Sequence, residues 1–403
     1  MATGTAPDMA RVFEPVRLAG LTLRNRLKKA ATFESRSPGG VPSVALADFH
    51  AGVAQGGTAL TTVSYCAVST DARTFANQMH MHEGISGELR RLSDAVHAHG
   101  GAIAGQLAHC GAFTRLRPVR SRRPKGASAR LNDYGVLAGI PFADAMGSAD
   151  FEALLADYAR AARILVGVGF DALEIHMGHG YLLSQFISPA TNKRRDDYGG
   201  SLANRMRLPL RALDAVRKAV GDQVPLIAKI NLADGFKGGL ETAEAVEACK
   251  LLAQGGIDAI EMSGGFVSKT PMYLFRGANP IDYVIKGEAN PLFRAMLRLI
   301  GRRVFRSDPF TELFFLDQAR RVRAAVDVPL IYLGGATSAD GIARAINQEG
   351  FDLVSIGRAL LHDPDFAQAL RTNPGHVSPC NHCNACVGTI GQPEGTRCLL
   401  HTA

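Results

Sequence analysis

DFEALLADYARAARILVGVG at 150–169, followed by FDALEIHMGHGYLLSQFISP at 170–189, couples a helical period to a short apolar strand. The first segment has apolar residues at three- and four-residue spacing, as an amphipathic helix requires. The second holds an apolar run, Asp171–His176, that stops at a glycine-rich turn. A strand next to a longer helix is the repeating unit of a parallel sheet. The same unit recurs in both directions, with strands predicted at Leu27–Thr32, Thr58–Tyr65, Ala102–Leu107, Leu226–Asn231, Ala259–Ser263, Leu330–Leu333 and Leu353–Ile356. Helical patterns at 86–100, 201–221 and 241–256 fill gaps between them. Eight such units predict an α/β fold, a (β/α)₈ barrel, for which about 250 residues is typical and more than about 400 is reached through insertions. No G-x-G-x-x-G follows any strand, so a doubly wound sheet with a helix-terminus dinucleotide site is unsupported. Two segments read as insertions, roughly 108–148 after the third strand and 264–315 after the sixth. Both follow strand C-termini, the active-site face of a barrel.

Composition sets the outer limits. With 403 residues, 46% hydrophobic and 20% charged, the chain can bury a large core, which excludes disordered, collagenous and small disulfide-stapled classes. A net charge of +8 suits an anionic cofactor or nucleotide but is weak grounds for nucleic acid. The arginines at 294, 298, 302, 303 and 306 are expected to form a solvated helix face. No stretch approaches the eighteen or so apolar residues of a membrane span, and the N-terminus lacks the apolar core of a secretory signal. The expected location is the cytoplasm, with neither membrane nor nucleic acid as partner and homo-oligomerisation left open.

Chemistry concentrates after the fourth strand. His176, His179 and Tyr181 would stand at the barrel mouth. Two imidazoles there can hydrogen-bond one carbonyl or anionic oxygen and stabilise charge that builds on it, and a phenol beside them can give a proton. Taken alone, two histidines three apart are equally well explained as packing. Zinc fits less well, because the pair lacks the His-Glu-x-x-His helix.

The run from His176 to Pro189 with Asn192–Arg205 closely resembles the signature of the Old Yellow Enzyme family of FMN-dependent NAD(P)H oxidoreductases. Phe13–Val16, Asn25-Arg26, Gly105–Leu107, Ser355–Leu360 and Asp363–Asp365 match the same family, so the resemblance spans roughly 11–371. It implies an FMN-binding barrel over 1–371 with 264–315 as a cap. Gly334, Gly335, Gly357 and Arg358 would hold the flavin phosphate, at the place where barrels commonly bind phosphate. Gln106 would meet the pyrimidine edge, and Lys229 would stand beside N1 as a cation favouring the anionic reduced flavin. Without the resemblance, Lys229 reads as a strand-end surface lysine. Ala31 and Thr32 would be flavin contacts at the end of the first strand. Here the sequence departs from the family, since Phe33 occupies the offset where a Thr or Cys usually meets flavin O4 and Thr32 falls one residue early. The implied reaction is reduction of an α,β-unsaturated carbonyl compound. NAD(P)H is the co-substrate, His176 and His179 hold the substrate oxygen, hydride comes from flavin N5, and Tyr181 protonates the α-carbon.

Cys380, Cys383, Cys386 and Cys398 fall within 372–403, expected as a Cys-rich tail. Their spacing suggests [4Fe–4S] ligation, with a Cys₄ zinc site or free thiols as alternatives. It also resembles, with small differences, the cluster motif of the 2,4-dienoyl-CoA reductases and trimethylamine dehydrogenase. The chain ends five residues after Cys398, so a cluster is expected to lack an in-chain electron partner. Cys66, Cys110 and Cys249 read as core residues. Three other readings are weighed: an oxidative member of the family acting on amines or carbonyl compounds, an RNA-modifying flavin barrel, and a non-catalytic metal-binding protein. The filled His–His–Tyr site argues against the last.

Overall fold

The computed structural model describes residues 7–400. All eight predicted strands form: β1 (Leu27–Lys29), β2 (Leu60–Ala67), β3 (Ala102–Ala108), β4 (Ala172–Met177), β5 (Leu226–Asn231), β6 (Ala259–Ser263), β7 (Leu330–Leu333) and β8 (Leu353–Ile356). They pair in parallel, each with its sequence neighbours, and close into a barrel through β8 and β1. Helices α1 (Val44–Gln55), α2 (Ser86–His97), α3 (Ser148–Gly167), α4 (Leu202–Val220), α5 (Thr242–Gln254) and α6 (Leu316–Arg323) follow the first six strands. Ser43 caps α1 by accepting from the Leu46 N–H at 3.2 Å, and Ser201 caps α4 from Asn204 at 3.3 Å.

Two strand C-termini differ from the sequence reading by more than one residue. β1 stops at Lys29 instead of Thr32, because the Ala30 N–H makes the last ladder bond, to the Ile356 carbonyl, and the chain then turns over the barrel mouth. β2 runs on to Ala67 through a register shift between Val63 and Cys66, a bulge of the kind that re-aims side chains near sites.

At the opposite end, an antiparallel hairpin pairs Val16–Leu18 with Leu21–Leu23. Its Leu18 and Leu23 are buried with Ala59, Leu60, Ala104, Ile227, Ile331 and Leu353, which stand at or near strand starts, so the hairpin plugs the barrel bottom. Both insertions lie at the other end. The one after β3 folds as a three-stranded sheet of Lys125–Gly126, Phe142–Ala145 and Arg130–Leu131. The one after β6 contributes short helices Pro271–Leu274 and Ile281–Gly287 and the longer Pro291–Val304. Arg298, Arg302 and Arg303 are exposed on that last helix, as expected, whereas Arg294 is half-buried and donates from Nε to the Glu288 carbonyl at 3.1 Å. Among the described residues, no helix is long and apolar enough to cross a membrane.

Candidate active site

Every side chain or glycine expected to carry chemistry or hold flavin lines one cavity of about 790 Å³ at the C-terminal strand ends: Ala31, Thr32, Gln106, His176, His179, Tyr181, Lys229, Gly334, Gly335, Gly357 and Arg358. Cofactor pockets commonly fall between about 300 and 1,000 Å³.

The turn after β4 is built to aim three rings. His179 has φ +61°, a left-handed conformation, and its N–H donates to Asn231 Oδ1 at 3.0 Å. Gly180 follows at φ +81°, and a Cβ there would meet the Phe266 ring at 2.3 Å, so only glycine fits. The Gln185 amide then pins the turn to the β3 loop, donating to the Gly180 carbonyl at 2.8 Å and the Cys110 carbonyl at 3.0 Å and accepting from Ala112 N–H at 3.1 Å. The His176 ring centre consequently lies 4.9 Å from that of His179 and 4.8 Å from that of Tyr181. Gly178 N–H donates to His176 Nδ1 at 3.3 Å, which leaves Nε2 as the donor of the neutral ring. His179 Nε2 meets Ser263 Oγ at 2.7 Å.

Burial keeps these groups uncharged. It lowers His176 well below its ordinary value, helped by His179 and the Lys229 charge, and brings His179 down to about 3. Burial likewise raises the Tyr181 phenol well above its usual value, and Tyr65 reinforces this. Tyr65, which the sequence reading passed over, hydrogen-bonds through its hydroxyl to that of Tyr181 and is itself pushed up to about 12 by burial. It continues a stack with Phe33 at 5.4 Å, and Phe33 stacks on Phe75 at 5.3 Å. Phe33 thus joins an aromatic wall, while the Thr32 hydroxyl accepts from Lys29 Nζ at 3.1 Å.

Because burial lowers both imidazoles from the ordinary histidine value, the affinity of reconstituted enzyme for a neutral carbonyl ligand is expected to be flat from pH 5 to 8. An absorbance titration checks this; a step near the ordinary histidine value of about 6.5 would show that one of them ionises.

Beneath the cavity the barrel interior is charged. Lys28 Nζ lies 2.7 Å from Glu174 and 2.5 Å from Glu261, and Lys229 Nζ lies 3.0 Å from each of the same two carboxylates. The four come from β1, β4, β5 and β6 and are at most 1% exposed, so the ring they form spans the barrel. Burial works against the Glu174 anion, but Lys229 and Lys28 outweigh it and hold the carboxyl below its ordinary range. Burial also opposes the Lys229 cation, and the two glutamates more than restore it. Lys229 is therefore no surface lysine. Gln106 Nε2 donates to Glu174 Oε1 at 2.7 Å, and its carbonyl accepts from Ser64 Oγ at 3.2 Å, which fixes the amide's orientation.

The residues fit an FMN phosphate at the far end. Gly334 and Gly335 have φ +152° and +83°, and a Cβ on Gly335 would meet the Phe314 ring at 2.7 Å. A Cβ on Gly357 would instead enter open space, so that backbone edge is bare toward the cavity. Arg358 supplies a cation beside it, oriented by bonds from Nη1 to the Arg276 carbonyl at 2.8 Å and Asn384 Oδ1 at 2.5 Å.

Asn384 belongs to the tail, which packs across the cavity wall. Its amide also donates to the Phe275 and Ala278 carbonyls at 2.7 and 2.9 Å, and Thr396 bonds the Phe33 and Glu34 carbonyls at 2.7 and 2.8 Å. Cys386 lines the cavity. All four tail cysteines are free, and among the described residues no group of three or more His, Cys, Asp or Glu side chains is placed to hold a metal ion. The four thiols nonetheless lie near one another: burial raises that of Cys386, and Cys380, Cys383 and Cys398 are close enough to raise it further.

Residues 11–269 match the NADH:flavin oxidoreductase / NADH oxidase family. A 4,4'-dithiodibutanoate disulfide reductase of Rhodococcus erythropolis is 42% identical over 99% of this chain and 97% of its own length. A metal reductase of Desulforamulus reducens is 28% identical over 98% of this chain, which spans only 54% of that longer protein. The solved 2-naphthoyl-CoA reductase complex superposes with a TM-score of 0.78 at 21% identity, covering 96% of this chain and 56% of that one, a likeness of fold.

Proposed function

Because the chain belongs to the NADH:flavin oxidoreductase / NADH oxidase family, and so is an FMN-dependent oxidoreductase of the Old Yellow Enzyme type, we propose that it reduces activated C=C bonds of α,β-unsaturated carbonyl compounds with NAD(P)H as electron source. The observation that carries this reading is the convergence of two neutral imidazoles and a neutral phenol on one wall of a flavin-sized cavity. On this reading residues 1–371 form the FMN-binding barrel, 264–315 its cap, and 372–403 a closing wall.

Gln106, Lys229, Ala31 and Thr32 would hold the ring system, and Gly334, Gly335, Gly357 and Arg358 the phosphate. Bound FMN supplies the two-electron chemistry, accepting hydride from the nicotinamide and delivering it to the second substrate. His176 and His179 donate to the substrate oxygen, so negative charge building there is met by fixed dipoles that need no reorganisation. Tyr181 gives its proton to the α-carbon, and its hydroxyl is held in place by the hydrogen bond it shares with Tyr65.

A second reading has its own support in the relative named for disulfide reduction. The same acid serves it: as an S–H bond forms on one sulfur, the S–S bond breaks, and the departing thiolate takes the Tyr181 proton. Anaerobic assays of FMN-loaded protein with 2-cyclohexenone and with 4,4'-dithiodibutanoate, each with NADH and NADPH, test both. Stoichiometric consumption of enone and nicotinamide is expected. A flavin-replete protein that reduces neither acceptor sinks the proposal.

A further inference from the structure

The cavity above the catalytic wall is largely aromatic and aliphatic, with one placed cation near its upper rim. Arg115, from the insertion after β3, has its guanidinium carbon 4.2 Å from the Tyr134 ring centre and 4.3 Å from that of Phe293, two rings that meet edge-on at 6.4 Å and pack against it from adjacent sides. Nη1 and Nη2 both reach one oxygen of Glu288, Oε2, at 3.2 Å each. The other oxygen, Oε1, is turned away and accepts from the Asn290 N–H at 2.8 Å. This is not the two-oxygen pairing that guanidinium and carboxylate prefer, and its bonds are longer than the 2.7–2.9 Å or so typical of charged pairs. Arg115 and Glu288 both line the cavity, with side chains 28% and 13% exposed.

An apolar path leads from this guanidinium to the proton donor. Tyr134 stacks on Phe113 at 4.5 Å, and Phe113 meets Tyr181 edge-on at 6.0 Å. Such a path accepts a short aliphatic chain. A carboxylate entering an apolar cavity carries a heavy desolvation cost unless a partner is waiting, and a stacked guanidinium is the side chain best suited to meet it. Asp133, also on the lining, has Arg130 as its own partner at 3.6 Å.

We infer that Arg115 is a carboxylate-binding subsite. It selects substrates whose reducible bond lies a few carbons from an anionic group, and Glu288 is the internal counter-ion that the substrate carboxylate displaces. This rests on the reading of the site as a reductase and names its substrate class.

The test compares acids with their neutral esters on FMN-loaded protein: 6-oxo-4-heptenoate, whose alkene stands two methylenes from the carboxylate, against its methyl ester, and 4,4'-dithiodibutanoate against its dimethyl ester. The readout is the acid-over-ester ratio of kcat/KM. Wild type is expected to favour the acid. Arg115→Gln should lower the ratio at least tenfold, mainly through KM for the acid, and Arg115→Lys should restore part of it. Glu288→Gln, which removes the competing anion, should raise the ratio several-fold. Opposite movements from two sides of one ion pair cannot arise from misfolding. Equal ratios in wild type and all three variants would overturn the subsite while leaving the reductase reading intact. If neither acid nor ester of either pair is reduced by wild type, the reductase reading fails instead.

Discussion

In Tyr181→Phe enzyme, enone turnover falls by about 10²- to 10⁴-fold, the range that a positioned acid contributes, while the nicotinamide half-reaction keeps nearly its full rate. The asymmetry follows from where the phenol is held. Tyr181 is 2% exposed, and its hydroxyl is hydrogen-bonded to Tyr65, so water has little access to replace the missing proton. Burial keeps the phenol protonated throughout the working pH range, and hydride transfer from the nicotinamide needs no proton at that position. Stopped-flow traces of each half-reaction separate the two outcomes. Equal slowing of both would show that the ring at 181 shapes the cavity and gives no proton.

Lys28→Met should cost about 3–5 kcal/mol, the range seen when one partner of a buried ion pair is removed. Lys28 does not line the cavity, so the loss reads out as stability. Without it, Glu174 and Glu261 share a single cation, Lys229, in an interior with essentially no solvent access. Adding Glu261→Gln to that variant leaves one lysine facing one glutamate and should recover part of the loss, because neutrality returns although a contact is missing. Urea titrations of the wild type and both variants measure it. A single substitution costing less than about 1 kcal/mol would show that the interior charge is relieved by some other route.

The eight strands were legible because a hydrophobic run flanked by helical periodicity is a local signal. The proposed catalytic and flavin-holding positions came from motif residues lying within a few places of a strand end, and they line one cavity. What escaped notice was non-local. Lys28 meets Glu174 across 146 residues and Glu261 across 233, and no window of sequence relates them. Lys229, read alone, looked like a surface lysine because nothing nearby in sequence neutralises it. Tyr65 was hidden in the same way, its partner lying 116 residues on. The boundary errors at β1 and β2 arose where the chain leaves the ladder to serve the cavity, at a turn in one case and a bulge in the other. The tail was legible as a Cys-rich segment, but its docking was not: Asn384 and Thr396 stitch it to the cavity wall through partners 109 and 363 residues away.

The alternating corners of the Lys28–Glu174–Lys229–Glu261 ring have a consequence for whatever lies above them. Two positive and two negative corners in alternation cancel both monopole and dipole, so the remaining field is quadrupolar and dies away within a few ångströms. On the proposed reading, a guest on the barrel mouth would meet Lys229 and Gln106 directly but almost no net potential from below. Neutralising any one corner, even Lys28 beneath the cavity floor, exposes that guest to an unbalanced elementary charge and so moves its affinity for electrons.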